Sequence, residues 1–287
     1  MRRSIAILAF IGLGVLLPGA GQFSFVIKYN LMAMLFLAFL DIRLSRRLLQ
    51  WGHFKVLAVN LSLPLLLFFS ISPFNREIAL ASFAIAAAPT AAAAPAITLF
   101  LHREVAFVTT SVLLTSIFAA FTIPWTLPWV AAREASIAAL DVAGPVMVLL
   151  FIPLGLSFAL RWASPAAASW VVQHSGAAFL LFLANVFIAS AGASAFVRES
   201  DSNALLSVVA IAATTAALCL FHFRFGEWMG RKDKPIETGM ALGRKNTMFG
   251  IWLALTFISP MAALGPIFYI LYQNLYYSWQ LYVTRKA

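Results

Sequence analysis

Charged residues are scarce in this sequence of 287 residues. Asp, Glu, Lys and Arg together make up 10% of the chain, whereas hydrophobic residues make up 62% and the mean hydropathy is +0.92. An ordinary soluble domain is about 45–50% apolar and about 25% charged. The composition therefore excludes an ordinary soluble domain and predicts an integral membrane protein.

Polar segments long enough for a second domain are also missing. No polar stretch exceeds about 15 residues, whereas a separate domain usually has at least about 50. We therefore expect a single membrane domain over residues 1–287. Cysteine occurs once, as Cys219, so the chain can form no internal disulfide and no multi-cysteine metal site.

Residue patterns typical of catalysis do not occur. The four histidines share no metal-ligand spacing, and no glycine-rich phosphate loop or nucleophile with a partner base is present. The basic residues are scattered between apolar segments instead of alternating with aromatic residues, which argues against a nucleic-acid partner. We expect a protein that is not an enzyme, with no cofactor and no metal site.

What the chain does contain is a series of ten long apolar segments. Each is near the roughly 20 residues that a helix needs to cross a bilayer. They cover approximately residues 4–20, 24–42, 54–72, 78–101, 105–131, 137–160, 170–194, 203–222, 236–258 and 260–282. We therefore expect membrane lipid as a partner of the chain.

The distribution of basic residues predicts the orientation of the chain. With a cytoplasmic N-terminus, fourteen lysines and arginines face inward and four, Lys28, Arg76, Arg133 and Arg198, face outward. An excess of Lys and Arg marks the cytoplasmic side. We therefore expect both termini in the cytoplasm and a plasma-membrane location, with a bacterial inner membrane favoured.

The N-terminal segment has an alternative interpretation. A basic start, an apolar run and the small residues around 18–21 also fit a secretory signal peptide with a cleavage site. Its removal would leave nine spans and two unequal halves. We therefore expect the segment to be retained.

Helix-breaking residues interrupt two of the spans. The interruptions are residues 88–95, with Pro89 and Pro95, and residues 239–246, with Gly239 and Gly243. Proline removes a backbone donor, and glycine weakens a helix. Backbone groups freed at membrane depth need partners from protein or from a watery cavity, because lipid offers none. A substrate could bind at such a place.

The two interruptions occupy equivalent positions in the two halves of the chain. Each lies in the fourth of five spans, in repeat 1 at about 1–132 and in repeat 2 at about 133–287. Two five-helix units in one chain have opposite orientations, as in many transporters. The pattern predicts an all-α membrane protein with ten transmembrane helices in two inverted repeats, whose discontinuous helices 4 and 9 cross near the midplane.

Several stretches are similar to the motifs of one known family. They are residues 88–106, 243–247, 265–266 and 273–274, with weaker similarity at 39–44 and 152–155. On these stretches the chain resembles the bile acid:sodium symporter family. The resemblance implies ten helices, a panel and a core domain, and alternating access that carries organic anions with sodium.

The chain departs from that family at the positions that bind sodium. The family's ligands fall here on Ala94, Pro95, Val108 and Val112, whose side chains cannot ligate a cation. Its crossover glutamate falls on Ala241 if Asn246 matches the asparagine of the second crossover. Another register places it at Glu237, but Glu237 is only three residues from Lys234. Three residues of helix rise only about 4–5 Å, whereas the bilayer midplane is roughly 15 Å deep. Glu237 would thus lie too close to the cytosol, and we prefer the Asn246 register.

Arg244 and Lys245 are predicted to lie inside the ninth span, where a cation costs several kcal/mol unless it has a partner. Two interpretations remain open. The cations could pair with Asp141, Glu237 or carbonyls of the first break, or one of them could face a cavity and hold an anionic substrate. Our hypothesis is that this fixed charge takes the electrostatic role of bound sodium, so that sodium dependence is weak or absent.

These observations predict a secondary active transporter of a small organic anion. The candidate substrate-binding residues are Arg244, Lys245, Asn246, Thr247, Thr90 and Asn60. Asp141 and Glu237 are candidates for ion coupling, with sodium and proton both open. The alternative is a membrane sensor or assembly subunit that retains the transporter fold without transporting, because a fold alone does not establish activity.

Overall fold

The computed structural model describes residues 2–41, 49–131, 138–200 and 204–284. Some residues used above lie outside these ranges. They include residues 42–44 of the weaker similarity, the first residues of the spans at 137–160 and 203–222, the repeat boundary at 132–133, and six basic residues of the orientation argument, Arg43, Arg46, Arg47, Arg133, Arg285 and Lys286.

The described residues form thirteen α-helices and one 3₁₀ helix, with no β-sheet among them. The helices are α1 (Arg2–Leu16), α2 (Val26–Asp41), α3 (Trp51–Ile71), α4 (Arg76–Ala86), α5 (Ala94–Phe100), α6 (Val105–Ala131), α7 (Ala139–Ala163), α8 (Pro165–Gln173), α9 (Ala177–Glu199), α10 (Ala204–Met229), α11 (Pro235–Gly243), α12 (Thr247–Phe257) and α13 (Pro260–Thr284). The 3₁₀ helix, Pro18–Phe23, follows α1. The all-α class expected from the sequence is confirmed.

Five of the helices are long and apolar enough to cross a membrane. They are α3, α6, α7, α9 and α10, and shorter apolar helices occur at Ile5–Leu16, Val26–Leu40 and Thr247–Phe257. These apolar helices agree with the membrane location that the composition predicts, and the protein is an all-α membrane protein.

Both interruptions predicted from the sequence are present. α4 and α5 are separated by residues 87–93, and α11 and α12 by residues 244–246. The bounds differ from those predicted, because Pro95 already lies in α5 and both Gly239 and Gly243 are still part of α11. The structure adds two interruptions that we did not predict. The first apolar segment ends its α-helix at Leu16, ahead of Pro18, and the segment at 170–194 is divided between α8 and α9 near Gly176.

The helices pack as two groups. One group contains α1, α2, α7, α8 and α9, and the other contains α3 to α6 and α10 to α13. The groups touch where α6 meets α7, where α9 meets α13, and where α12 meets α2 and α9. Each half of the chain contributes to both groups, and both interruptions lie in the second group. We call the first the outer group and the second the break group.

The helices next to the interruptions form the centre of the break group. Ala79 to Ala86 of α4 and Thr247 to Ala254 of α12 are all buried. α13 packs against both helices. The unpaired N–H and C=O groups at the ends of such buried helices need hydrogen-bond partners inside the protein. These helix ends are therefore candidate positions for a site.

A glycine brings α13 close to α4. A Cβ atom added at Gly265 would lie 2.6 Å from the carbonyl oxygen of Ala81. That neighbour is backbone and cannot rotate away, so the two helices depend on the missing side chain. At Gly144 in α7, by contrast, an added Cβ meets nothing within 4 Å.

We predict that Gly265→Ala lowers the free energy of unfolding by about 1–3 kcal/mol, because overpacking forces α13 away from α4. Gly144→Ala is the matched control and should leave stability unchanged or raise it, since alanine favours helix. Thermal unfolding in detergent measures both. Equal effects of the two substitutions would contradict the close packing.

Candidate functional site

The two interruptions are joined to each other by backbone hydrogen bonds. The N–H of Ala91 donates to the carbonyl of Arg244 at 2.7 Å, and the N–H of Asn246 donates to the carbonyl of Pro89 at 2.8 Å. Thr90 and Lys245 thus face each other as one antiparallel bridge. Backbone groups that have no helical partner at one break are therefore hydrogen-bonded to the other break, as an apolar surrounding requires.

Thr90 connects this bridge to two further helices. Its N–H donates to Oγ1 of Thr115 on α6 at 2.9 Å, and its own hydroxyl donates to the carbonyl of Ala241 in α11 at 2.6 Å. Thr90 is fully buried. The sequence singled out this threonine as a candidate substrate ligand, but the structure uses its hydroxyl to hold α11 in place.

The Lys245 side chain crosses from the second break to the end of α4. Its ammonium donates to the carbonyls of Ala86 at 2.8 Å and Ala88 at 3.1 Å, and also to Oδ1 of Asn60 on α3. Only 1% of Lys245 is exposed. An ammonium group has three donors, and all three are used here. The negative end of the α4 helix dipole adds a favourable term.

Arg244 points to α13 instead. Nη1 donates to the carbonyl of Gln273 at 3.1 Å and Nη2 to Oδ1 of Asn274 at 3.0 Å, while Cζ lies 5.7 Å from the ring centroid of Tyr277. Arg244 is 8% exposed. Within the described part of the chain, its Nε and Oε1 of Gln273 are buried without a hydrogen-bond partner. Arg244 therefore has binding capacity that its present contacts do not use.

Asn246 and Thr247 begin α12. Oδ1 of Asn246 accepts from the N–H of Phe249 at 3.2 Å, which is the usual bond of a helix N-cap. Thr247 is buried as the first residue of the helix. These two residues are close to Arg244 and Lys245, but the bonds of Asn246 stabilise the break itself.

Pro95, Gly239 and Gly243, which the sequence assigned to the breaks, lie in the helices next to them. Pro95 lies in the first turn of α5, and the carbonyl of Gly243 accepts from the hydroxyl of Tyr269 at 2.7 Å. An added Cβ at Gly243 would lie 2.4 Å from the ring of Phe223, and one at Gly239 would lie 2.8 Å from Cγ of Glu227. Both glycines therefore let α11 approach α10.

The two acidic candidates do not reach the cations. Asp141 is exposed in the first turn of α7, where Oδ2 accepts from the N–H of Ala138 at 3.0 Å. Glu237 is buried in the first turn of α11 and accepts from the N–H of Glu104 at 3.0 Å. Of the partners considered for Lys245, the carbonyls of the first break are the ones it contacts.

Sequence reasoning missed a buried pair behind the second break. Nδ1 of His222 on α10 lies 3.1 Å from the hydroxyl of Tyr269, which also donates to the carbonyl of Gly243. Both side chains are fully buried. The sequence gives no sign of this pair, because only the packing of α10 against α13 brings His222 next to Tyr269.

The chain gives no match in comparison with known proteins, either to a protein-family model or to a curated protein. The described residues also contain no group of three or more His, Cys, Asp or Glu that could hold a metal ion. The candidate site is defined by the chain's own groups. It consists of two joined breaks, a fully bonded ammonium and a guanidinium with an unused donor.

We predict that Thr90→Val lowers the free energy of unfolding by about 1–3 kcal/mol, because the buried carbonyl of Ala241 loses its donor. Thr110→Val is the matched control, since the Thr110 hydroxyl only donates to Ala106 within its own helix at 3.0 Å. Such a bond contributes little. Thermal unfolding of both variants tests the prediction, which fails if they lose equal stability.

Proposed function

We propose that the protein is a secondary active transporter of a small organic anion that works by alternating access. The observation that carries the proposal is the pair of helix breaks joined around the ammonium of Lys245. In this proposal α4–α5 and α11–α12 are the discontinuous fourth and ninth of ten transmembrane helices. The two five-helix repeats have opposite orientation, and both termini are cytoplasmic.

The packing of the helices supports this assignment. Counted as spans, each half of the chain supplies two helices to the outer group and three to the break group, including one broken helix. Equal contributions from both halves are what inverted repeats produce. The two groups then correspond to a panel and a core, and their relative movement would open the site to either side in turn.

Lys245 supports the part of the proposal that concerns sodium. Two carbonyls and one amide oxygen surround its ammonium, and in a transporter such oxygens typically bind a cation. Here the cation is attached to the chain. No carboxylate among the described residues pairs with it, so its charge is offset by dipoles alone. We therefore propose that transport does not require sodium.

Arg244 is the better anchor for the substrate. Its guanidinium is planar and always charged, and it suits carboxylates and sulfonates because several N–H groups point in fixed directions. Nη2 donates to Oδ1 of Asn274, and Nε has no hydrogen-bond partner in the described part of the chain. An anion could replace the Asn274 contact and engage Nε when α13 moves.

The alternative function is a non-transporting sensor or assembly subunit. The closed state of the site favours it, since Arg244 and Lys245 are 8% and 1% exposed and the ammonium has all its partners within the protein. A fixed polar core of this kind would maintain the fold without any flux. Binding without transport distinguishes this function from the first.

We predict saturable uptake of an organic anion into proteoliposomes, unchanged when potassium replaces sodium. The substrate is found first from the thermal stabilisation that a panel of monocarboxylates, dicarboxylates and sulfonates gives to the purified protein, because a ligand that binds the folded state stabilises it. Arg244→Gln should weaken binding about tenfold or more, since a charge-assisted contact is lost. Arg224→Gln, at an exposed position of α10, is the control.

Three results of this experiment would count against the proposal. Uptake that collapses without sodium would refute the role given to Lys245. Binding without flux would favour the sensor function. Wild-type affinity in Arg244→Gln would show that Arg244 does not anchor the substrate.

A further inference from the structure

A cavity at the end of α10 is lined by basic and aromatic residues. Its volume is about 410 Å³. The lining residues are Lys55 of α3, Phe225, Trp228 and Met229 of α10, and Arg231, Lys232 and Asp233 of the turn that follows. None of these residues belongs to the joined breaks.

The cavity has an excess of positive charge. Lys55, Arg231 and Lys232 are exposed, and Asp233 is the one carboxylate in the lining. Among the described residues, none of the three cations forms an ion pair with a carboxylate. Like charges around one cavity repel each other, so an anion placed between them would be stabilised.

Aromatic rings extend from this cavity along α10. Phe221 stacks on Phe225 with ring centroids 5.1 Å apart, Phe225 stacks on Trp228 at 5.4 Å, and Cζ of Arg231 lies 5.3 Å from the ring centroid of Trp228. Phe221 and Trp228 are 42% and 55% exposed. We call these three rings the aromatic strip. It runs from the basic turn towards the middle of a helix that is long and apolar enough to cross the membrane.

We propose that this cavity binds the headgroup of an anionic phospholipid. The phosphate lies between Lys55, Arg231 and Lys232, and an acyl chain lies along the aromatic strip. Basic pockets between helices at the membrane surface bind such headgroups, and aromatic residues typically mark the interface. A soluble phosphate would satisfy the charges but leave the strip uncovered, which is why we commit to a lipid.

The position of the cavity gives a bound lipid a structural consequence. Lys234 follows the lining turn directly, forms an ion pair with Glu104 and precedes the first residue of α11. α11 leads to the second break. A lipid that fixes the turn therefore also fixes the start of α11, and its binding should be visible as stabilisation of the whole protein.

The test is a titration of the purified full-length protein in detergent with dioleoylphosphatidylglycerol, followed by native mass spectrometry and thermal unfolding. The test variant combines Lys55→Ala, Arg231→Ala and Lys232→Ala. The control combines Lys28→Ala, Arg103→Ala and Arg224→Ala, which removes the same charge outside the cavity. We expect wild type and control to be stabilised, and the test variant to bind about tenfold or more weakly.

Two further ligands identify the source of the phosphate. Dioleoylphosphatidylcholine has the same chains without net charge, and glycerol 3-phosphate has the charge without chains. Both should stabilise wild type much less than dioleoylphosphatidylglycerol does, and Trp228→Leu should reduce the effect of that lipid.

The proposal is overturned if both lipids stabilise equally, if glycerol 3-phosphate suffices, or if the control variant loses as much affinity as the test variant. If the triple variant does not fold, Lys232→Gln alone must still reduce the stabilisation by dioleoylphosphatidylglycerol. An unchanged shift in that variant overturns the proposal as well.

Discussion

The two helix breaks can exist in an apolar surrounding because each supplies the backbone partners that the other needs. Ala91 donates to Arg244, and Asn246 donates to Pro89. An unpaired amide in such a place would cost several kcal/mol. Either break alone would leave backbone groups unpaired at a high free-energy cost, so each break requires the other. α4 and α12, which lead into the paired breaks, are buried at the centre of the break group.

The second constraint is the charge that the pairing encloses. The Lys245 ammonium lies against carbonyls at the end of α4, so one side chain satisfies helix-end acceptors and fastens α3, α4 and the second break together. Adjacent Arg244 points to α13 and keeps one donor unused within the described residues. Two neighbouring cations thus differ: Lys245 uses all its donors to hold the site, and Arg244 keeps a donor that the proposed transporter would offer to an anion. In the proposed transporter, this division removes the need for a bound metal cation.

The features that could be predicted are those encoded by adjacent residues. Pro89 and Gly243 reveal the breaks because their effects on a helix are local, and the apolar runs reveal the helices. Contacts between distant residues could not be predicted. Asn60 and Lys245 are 185 residues apart, and their contact depends on how α3 is rotated about its axis.

The same limitation explains other differences between expectation and structure. Asp141 lies within α7, as expected, but in its exposed first turn, where the carboxylate accepts from the N–H of Ala138 and caps the helix. Thr90 and Asn246 were singled out correctly as residues of the breaks. Their hydrogen bonds to Ala241 and Phe249 are long-range or capping contacts that a residue list cannot distinguish from ligand contacts.

The most direct test of the account is chemical rescue of Lys245→Ala. The substitution removes an ammonium and leaves the carbonyls of Ala86 and Ala88 without that donor. Thermal unfolding in detergent is measured with n-propylammonium, which reproduces the missing atoms, and with tetramethylammonium, which has the charge but no N–H donor. The account predicts an unstable variant that n-propylammonium stabilises and tetramethylammonium does not, and a wild type that responds to neither. A variant as stable as wild type, or equal responses to both cations, would contradict it.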